Sequence, residues 1–466
     1  MTNSTASNSN VSSTLCAGID WQRGQQLREQ ERATFLKNNP KSCALAERAG
    51  QHLLFGVPMH WMTDWSTPFS LTVNTANGAT LSDADGHRYV DFCLGDTGAM
   101  FGHSPAPVAK ALAKQASEGY TSMMASEDAV IVAEELARRF ELPVWQFALS
   151  ASDANRFVIR WIRAATGRSK ILVFNGCYHG TVDDVFVDLV DGKPKQRDSL
   201  LGQVTDLTAN TVVVEFNDLV ALEKALAQED VACVLAEPVM TNIGMVLPAP
   251  GYWEAARKII QRYGTQLVID ETHTISSGPG GYAVLNGLKP DAIVLGKPIG
   301  GGVPCAVYGF TKELAQRVEQ AKRHAPPGHS GVGTTLTANM LTMAAMRANL
   351  TEVMTDAAYQ KMLALAGQLA VGLRAVIADN KLPWCVTQVG ARTEFQFCSQ
   401  PPINGSAAEL ILDSELEKIV HLFLLNRGIL ITPFHNMMLV CPQTTEDDIA
   451  HFLNVFNQCL RLLKSA

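Results

Sequence analysis

The sequence predicts an α/β protein: a large domain built on a doubly wound, mainly parallel sheet, and a second, smaller α+β domain. Three observations lead there. From about residue 104, short β-rich runs alternate with amphipathic helical stretches, the pattern of strands joined by crossover helices. The chain has 466 residues, more than one small core accommodates. After about residue 340 the alternation gives way to long helices and a few scattered strands.

The elements follow in order. MTNSTASNSNVSST is polar, with neither the basic nor the apolar segment of a signal peptide, and residues 1–15 are expected to form a disordered tail. Residues 21–52 are charged and helix-forming, with a break at Asn39-Pro40. GVPMHWMTDWSTPFS reads as a loop. LTVNTANGATLSDADGHRYVDFC reads as strands turned at Asn77-Gly78 and Asp85-Gly86. APVAKALAKQASEG and EDAVIVAEELARRF are amphipathic helices, WQFAL is a strand, and SDANRFVIRWIRAATG is the helix after it. KILVFN, TVVVEF, CVLAEP, QLVID, AIVLG and CAVYGF are further strands, most separated by helices. WCVTQVG, TEFQF and MLVC supply the later sheet. The expected division is a tail at 1–15, an N-terminal segment at 16–80 joining the small domain, a large domain at 81–345 and a small domain at 346–466.

Composition narrows the function. Hydrophobic residues make up 47% and mean hydropathy is +0.05, as expected of a well-packed enzyme or obligate oligomer. A net charge of −7 and a pI near 5.9 argue against non-specific nucleic-acid binding. No apolar run reaches the ~18–20 residues of a membrane span. The ten cysteines are scattered without a CxxC pair, which reads as free thiols in a reducing cytoplasm, with neither a disulfide framework nor a metal site.

The chemistry concentrates between Gln266 and Pro304. QLVID ends in Asp270-Glu271, and AIVLG runs into Lys297, Pro298 and three glycines. A lysine in so apolar a setting is poorly solvated, which favours the neutral amine that attacks an aldehyde. A carboxylate at a neighbouring strand end keeps a pyridine nitrogen protonated, and the pair is what a pyridoxal 5'-phosphate (PLP) enzyme needs. Each residue has a plainer use taken singly: Asp270 as a helix N-cap, Lys297 in a surface turn. Ser150, Ala151 and Ser152 join a strand to a helix, where free backbone N–H groups suit a phosphate or simply accept a cap. Tyr178-His179 follows ILVFN and offers an aromatic face. Glu237 ends CVLAEP, and Asn242 follows it. GVGTTLTAN at 331–339 is a second small-residue loop entering a helix.

Together, DADGHRYVDF, RAATGRSKILVFNGCYHG, AEPVMTNIG, VIDETHT and GKPIGGGVP resemble the class III aminotransferases of the fold-type I PLP enzymes. The resemblance runs from about Gly56 to the C-terminus. It is nearest the branch holding glutamate-1-semialdehyde aminomutase and β-amino-acid transaminases. It implies that Lys297 holds PLP as a Schiff base and shuttles the proton, and that Asp270 pairs with the pyridine nitrogen. It places Ser150, Ala151 and Ser152 at the phosphate, Tyr178 on the ring face, Asn242 near the phenolic oxygen and Glu237 in the polar surround. Thr272 and His273 would stand beside the ring. Thr335 would reach the phosphate of a neighbouring subunit, which implies a homodimer with shared active sites.

Departures bear on the substrate. The phosphate loop reads SASDA where SGTEA is common. The loop that often carries an arginine has Met59, His60 and Trp61 instead, and Leu439 stands near the position of a second arginine. Arg392 is the remaining candidate for a substrate carboxylate, or else a structural partner of Glu394. Bulky Met59, Trp61 and Trp65 favour an amine or β-amino acid over a small dicarboxylate. The implied reaction transfers an amino group between a small amine or amino acid and a ketoacid or aldehyde; the alternative is an aminomutase or racemase using the same lysine.

Overall fold

The computed structural model describes residues 18–464, so the tail expected at 1–15 lies outside the described residues. The chain divides into two units, Thr97–Lys361 with Pro402–Glu409, and Met1–Asp96 with Met362–Pro401 and Leu410–Ala466.

Among its described residues the larger unit builds a seven-stranded sheet. In chain order the strands are β1 (Val144–Ala148), β2 (Lys170–Phe174), β3 (Thr211–Val214), β4 (Val231–Ala236), β5 (Gln266–Asp270), β6 (Ala292–Leu295) and β7 (Ala306–Phe310). Their spatial order is β1-β7-β6-β5-β4-β2-β3. The pairs β6–β5, β5–β4, β4–β2 and β2–β3 are parallel, while β7 runs antiparallel to both β6 and β1. CAVYGF therefore breaks the parallel pattern. The reason is its connection: residues 296–305 hold only a 3-10 turn, too little for the crossover that a parallel neighbour needs.

Side chains alternate between the two faces of this sheet, as strand geometry requires. Ile171, Val173, Val268 and Val294 pack with Phe157, Val158 and Ile162 of helix Ala151–Thr166. Leu172, Phe174, Leu267 and Ile269 pack with Trp253, Ala256 and Ile260 of helix Tyr252–Arg262. Both faces are covered, which is why the central strands read as continuous apolar runs.

The smaller unit holds a sheet ordered Val73–Asn77, Thr80–Asp83, Arg88–Asp91 and Ile429–Leu430, and another ordered Cys385–Val389, Arg392–Gln396 and Met437–Leu439. Its helices include Trp21–Asn38, Ser414–Leu425 and Glu446–Leu463. The unit boundaries differ from those expected at 80/81 and 345/346. Strands 80–83 and 88–91 pair inside the smaller unit, with Ile429 in register with Val90. Helix Met340–Ala348 packs in the larger unit beside helix Ala106–Glu118, and Ser406 returns there to accept from Asn175 at 3.0 Å.

One helix, Asp356–Asp379, has the length and hydropathy of a membrane span, although no such run was expected. Its buried residues Tyr359, Met362, Ala366, Leu369, Leu373 and Ile377 recur at three- and four-residue spacing. That is the stripe of a helix packed on a protein core.

Candidate active site

The strand ends create the site. Adjacent strands β4, β5 and β6 lead into Glu237, Asp270 and Lys297. Parallel β5 and β6 set Asp270 in register with Val294, so the carboxylate and the lysine emerge side by side. The loops after β1 and β2 bring Ser150–Ser152 and Tyr178–Gly180 to the same edge. Together they line a cavity of about 330 Å³ that also includes Asn242, Thr272, His273 and Cys305. Such a crevice at the carboxyl ends of the strands is where open α/β sheets bind ligands.

Two glycines allow the walls to close. A Cβ on Gly296 would stand 2.8 Å from Ala151 Cβ, and one on Gly180 would stand 2.1 Å from Ser152 Oγ. Lys297 itself has φ +45°, a left-handed conformation that costs a non-glycine residue energy and that packing must hold in place. Part of that packing is Asn349, whose amide donates to the carbonyls of Pro298 (2.8 Å) and Ile299 (2.9 Å).

Asp270 is buried at 4% exposure yet fully satisfied. Its Oδ2 meets His179 Nδ1 at 3.0 Å and accepts from Asn155 Nδ2 at 2.9 Å, and its Oδ1 accepts from Thr272 N at 3.1 Å. Burial alone would push the carboxyl up; the His179 bond and charge outweigh it and hold the group below the usual carboxylate range. Burial would likewise lower His179, but Asp270 pushes it up to about 10. The pair is an imidazolium facing a carboxylate. Glu271 plays no such part. Its carboxyl accepts from the backbone N–H of Tyr282 (3.0 Å) and Ala283 (2.7 Å) and from Thr274, and burial pushes it up to about 7.

At the opposite wall, helix Ala151–Thr166 begins with Ser150 as N-cap, its hydroxyl accepting from Asp153 N at 3.2 Å. The Ala151 and Ser152 N–H groups precede the first intrahelical bond and face an anion-attracting helix end. Ser152 Oγ also accepts from Thr181 N at 3.0 Å.

These residues fit PLP. The donor set comprises an ionised carboxylate, a lysine amine, an open helix N-terminus for a phosphate and the Tyr178 ring, gathered around one cavity whose walls meet only because Gly180 and Gly296 lack a Cβ. Of the residues read from sequence, Ser150, Ala151, Ser152, Tyr178, Glu237, Asn242, Asp270, Thr272, His273 and Lys297 all line the cavity. Thr335 is exposed elsewhere on the larger unit. Met59, His60 and Trp61 belong to the smaller unit, on or beside the 3-10 turn His60–Thr63. Arg392 is fully buried in the smaller unit, 3.6 Å from Asp96 Oδ1; Glu394 bonds His435 (3.0 Å) instead. No local pattern in the sequence marks His179, Asn155, Thr241 or Asn349 for these roles. His179, Asn155 and Thr241 lie within recognisable motifs, but a long-range hydrogen bond has no local signature.

A family model described as aminotransferase class-III matches residues 61–460. The chain is 30% identical over 383 residues to a glutamate-1-semialdehyde 2,1-aminomutase of Anaeromyxobacter sp. (strain K), covering 81% of this chain and 87% of that one. Its structure is similar to that of a glutamate-1-semialdehyde-aminomutase from Pseudomonas aeruginosa PAO1, with TM-score 0.94 and 46% identity over 96% of this chain and 100% of the other. A variant of that enzyme has been solved in complex with PMP. An omega-transaminase from Sphaerobacter thermophilus aligns with TM-score 0.82 and 28% identity over 90% and 97% of the two chains. The carboxylate, lysine and helix end at one cavity, together with these matches, establish that the chain belongs to the class-III aminotransferase family of fold-type I, PLP-dependent enzymes.

Proposed function

We propose that this protein transfers an amino group between a small amine or (β-)amino acid and a ketoacid or aldehyde acceptor, as a cytoplasmic homodimer. The observation that carries this reading is the convergence of Lys297 and the ionised Asp270 on one cavity. When bound, PLP supplies an aldehyde for the amine and a pyridinium ring that withdraws electrons. Lys297 holds the cofactor and moves the proton at the reacting carbon through its Nζ. Asp270, kept charged by His179 and Asn155, holds the ring nitrogen's proton. The Ala151 and Ser152 N–H groups and the Ser152 hydroxyl take the phosphate. Tyr178 and Thr272 supply the walls against the ring, while Asn242, tied to Glu237 at 3.2 Å, serves the polar edge.

Thr335 is assigned to the partner's phosphate. Supporting the dimer, Met123 and Met124 are 82% and 78% exposed on the loop whose Tyr120 carbonyl accepts from Met340 N, just after the Thr335 segment. Adjacent exposed methionines give this loop apolar surface of the kind an interface covers. The free thiols of the described residues suit a reducing compartment. Met59, His60 and Trp61 remain the substrate-side assignment, resting on sequence. The burial of Arg392 against Asp96 supports a structural charge pair over a substrate grip.

A second reading, an aminomutase, is favoured by the 46% identity to the Pseudomonas aeruginosa enzyme. Incubation of the holoenzyme with amino compounds and pyruvate separates the two. Alanine formation is expected. Isomerisation of glutamate-1-semialdehyde with no acceptor, and no alanine from any donor, would establish the second reading instead.

A further inference from the structure

We propose that His273, Thr241 and Glu237 form a proton relay that carries the proton off the Lys297 amine and returns it. This rests on Lys297 being the cofactor-bearing lysine. Lys297 Nζ is in hydrogen-bonding contact with His273 Nε2. The other ring nitrogen, Nδ1, lies 2.5 Å from Thr241 Oγ1. The Thr241 hydroxyl bonds Glu237 Oε2, and Asn242 Nδ2 donates to Glu237 Oε1 at 3.2 Å. His273, Thr241 and Glu237 are all buried.

Elementary hydrogen-bond chemistry orients the row. An ionised carboxylate only accepts, so the Thr241 hydroxyl donates to Glu237. The Thr241 oxygen then accepts, so Nδ1 of His273 carries the ring proton. That leaves Nε2 as a lone pair facing Lys297, which donates. Every donor points from Lys297 towards Glu237. A proton leaving Nζ for Nε2 sends the Nδ1 proton to Thr241 Oγ1, whose own proton passes to Glu237 Oε2. Each bond to hydrogen that forms is matched by one that breaks. An ammonium and a carboxylate become an amine and a carboxylic acid, and burial favours that neutral pair. The reverse sequence returns the proton to Lys297.

The surroundings support Glu237 as the terminus. Burial pushes its carboxyl up, against the opposing pull of the His179 charge and the Thr241 and Asn242 bonds, so it holds a proton more readily than an exposed glutamate. The other titratable groups near His273 are otherwise committed. Asp270 is engaged by His179, and Glu271 by Thr274 and two backbone N–H groups. Burial holds the Cys305 thiol far above its ordinary range, and Tyr178 stands at the exposed wall.

The test is the rate of PLP uptake at neutral pH by the full-length protein stripped of cofactor, followed by visible absorbance. Uptake requires the neutral amine, so its rate includes removal of the Nζ proton. Without a route to Glu237 the amine gives up its proton only to solvent, which slows uptake. Thr241→Val and His273→Gln are each expected to slow uptake roughly tenfold or more at neutral pH. Thr241→Ser, which keeps the hydroxyl, is expected to follow the parent. Borohydride reduction and peptide mass mapping of the parent locate the cofactor. Cofactor on Lys297 with unchanged uptake rates in both variants overturns the relay and leaves the cofactor reading standing. Cofactor on another residue overturns both. Should one variant fail to fold, the other decides.

Discussion

Each unit of this protein buries a cluster of charges, and the two clusters are put to different ends. In the larger unit, Asp270, His179, Glu237, His273 and Lys297 line a cavity at the edge of a parallel sheet. In the smaller unit, Arg392, Asp96, Glu394 and His435 neighbour Glu417 and His421 of helix Ser414–Leu425. The first cluster keeps its central pair ionised, Asp270 held low and His179 raised to about 10, while burial pushes Glu237 up. The second suppresses charge on its helix. Burial pushes Glu417 up to about 8, and burial pushes His421 down to about 4 although Asn436 bonds its Nε2 at 3.0 Å. Burial acts on both clusters in the same sense. The difference lies in the partners: a charged ring directly bonded to a carboxylate reverses the effect of burial, and more distant charges of mixed sign do not.

The contrast can be broken at three points, in decreasing order of effect. Lys297→Ala removes the group that carries the chemistry and is expected to lower amino transfer by at least ~10³-fold, about 4 kcal/mol on the barrier, with little change in the urea midpoint. Steady-state rates and unfolding curves on the same samples check it.

His179→Gln leaves Asp270 buried without its counter-charge, and about 3 kcal/mol of stability is expected to be lost near neutral pH. The pH course is specific. Asp270, held low, contributes stability above its unfolded value of ~3.9 and loses it in acid as pH falls through its folded value. His179, raised to about 10, contributes fully below its unfolded value of ~6.5 and loses that contribution as pH rises towards 10. The parent should weaken between those values, and His179→Gln should show a flatter alkaline limb. Denaturant titrations across that range measure both.

Glu417→Gln should act in the opposite direction. A carboxyl raised to about 8 costs stability progressively from its unfolded value of ~4.3 upward, because the unfolded chain ionises first. The amide removes that cost, so the variant is expected to gain about 1–3 kcal/mol by pH 8, nothing near pH 4, and no change in turnover. A stability gain that is flat with pH would contradict the assignment.

The sequence by itself determined the repeating strand–helix order, the family resemblance and the placement of Lys297 and Asp270 at strand ends. These are local properties. Strand identity comes from consecutive β-branched and apolar residues, and a charged residue closing such a run marks its own position. The tertiary structure decided what was not local. The antiparallel course of β7 followed from a link too short to cross over, and the unit boundaries followed from strand pairs and helix contacts distant in sequence. Asp270 and Glu271 are neighbours in the chain, and only their hydrogen-bond partners separate their roles. Glu394, expected to pair with Arg392 from its place two residues along the strand, bonds His435, forty-one residues away, instead. The row from Lys297 through His273 and Thr241 to Glu237 joins the ends of three neighbouring strands. No segment of sequence contains it, because hydrogen bonds depend on distances in space that strand order alone sets.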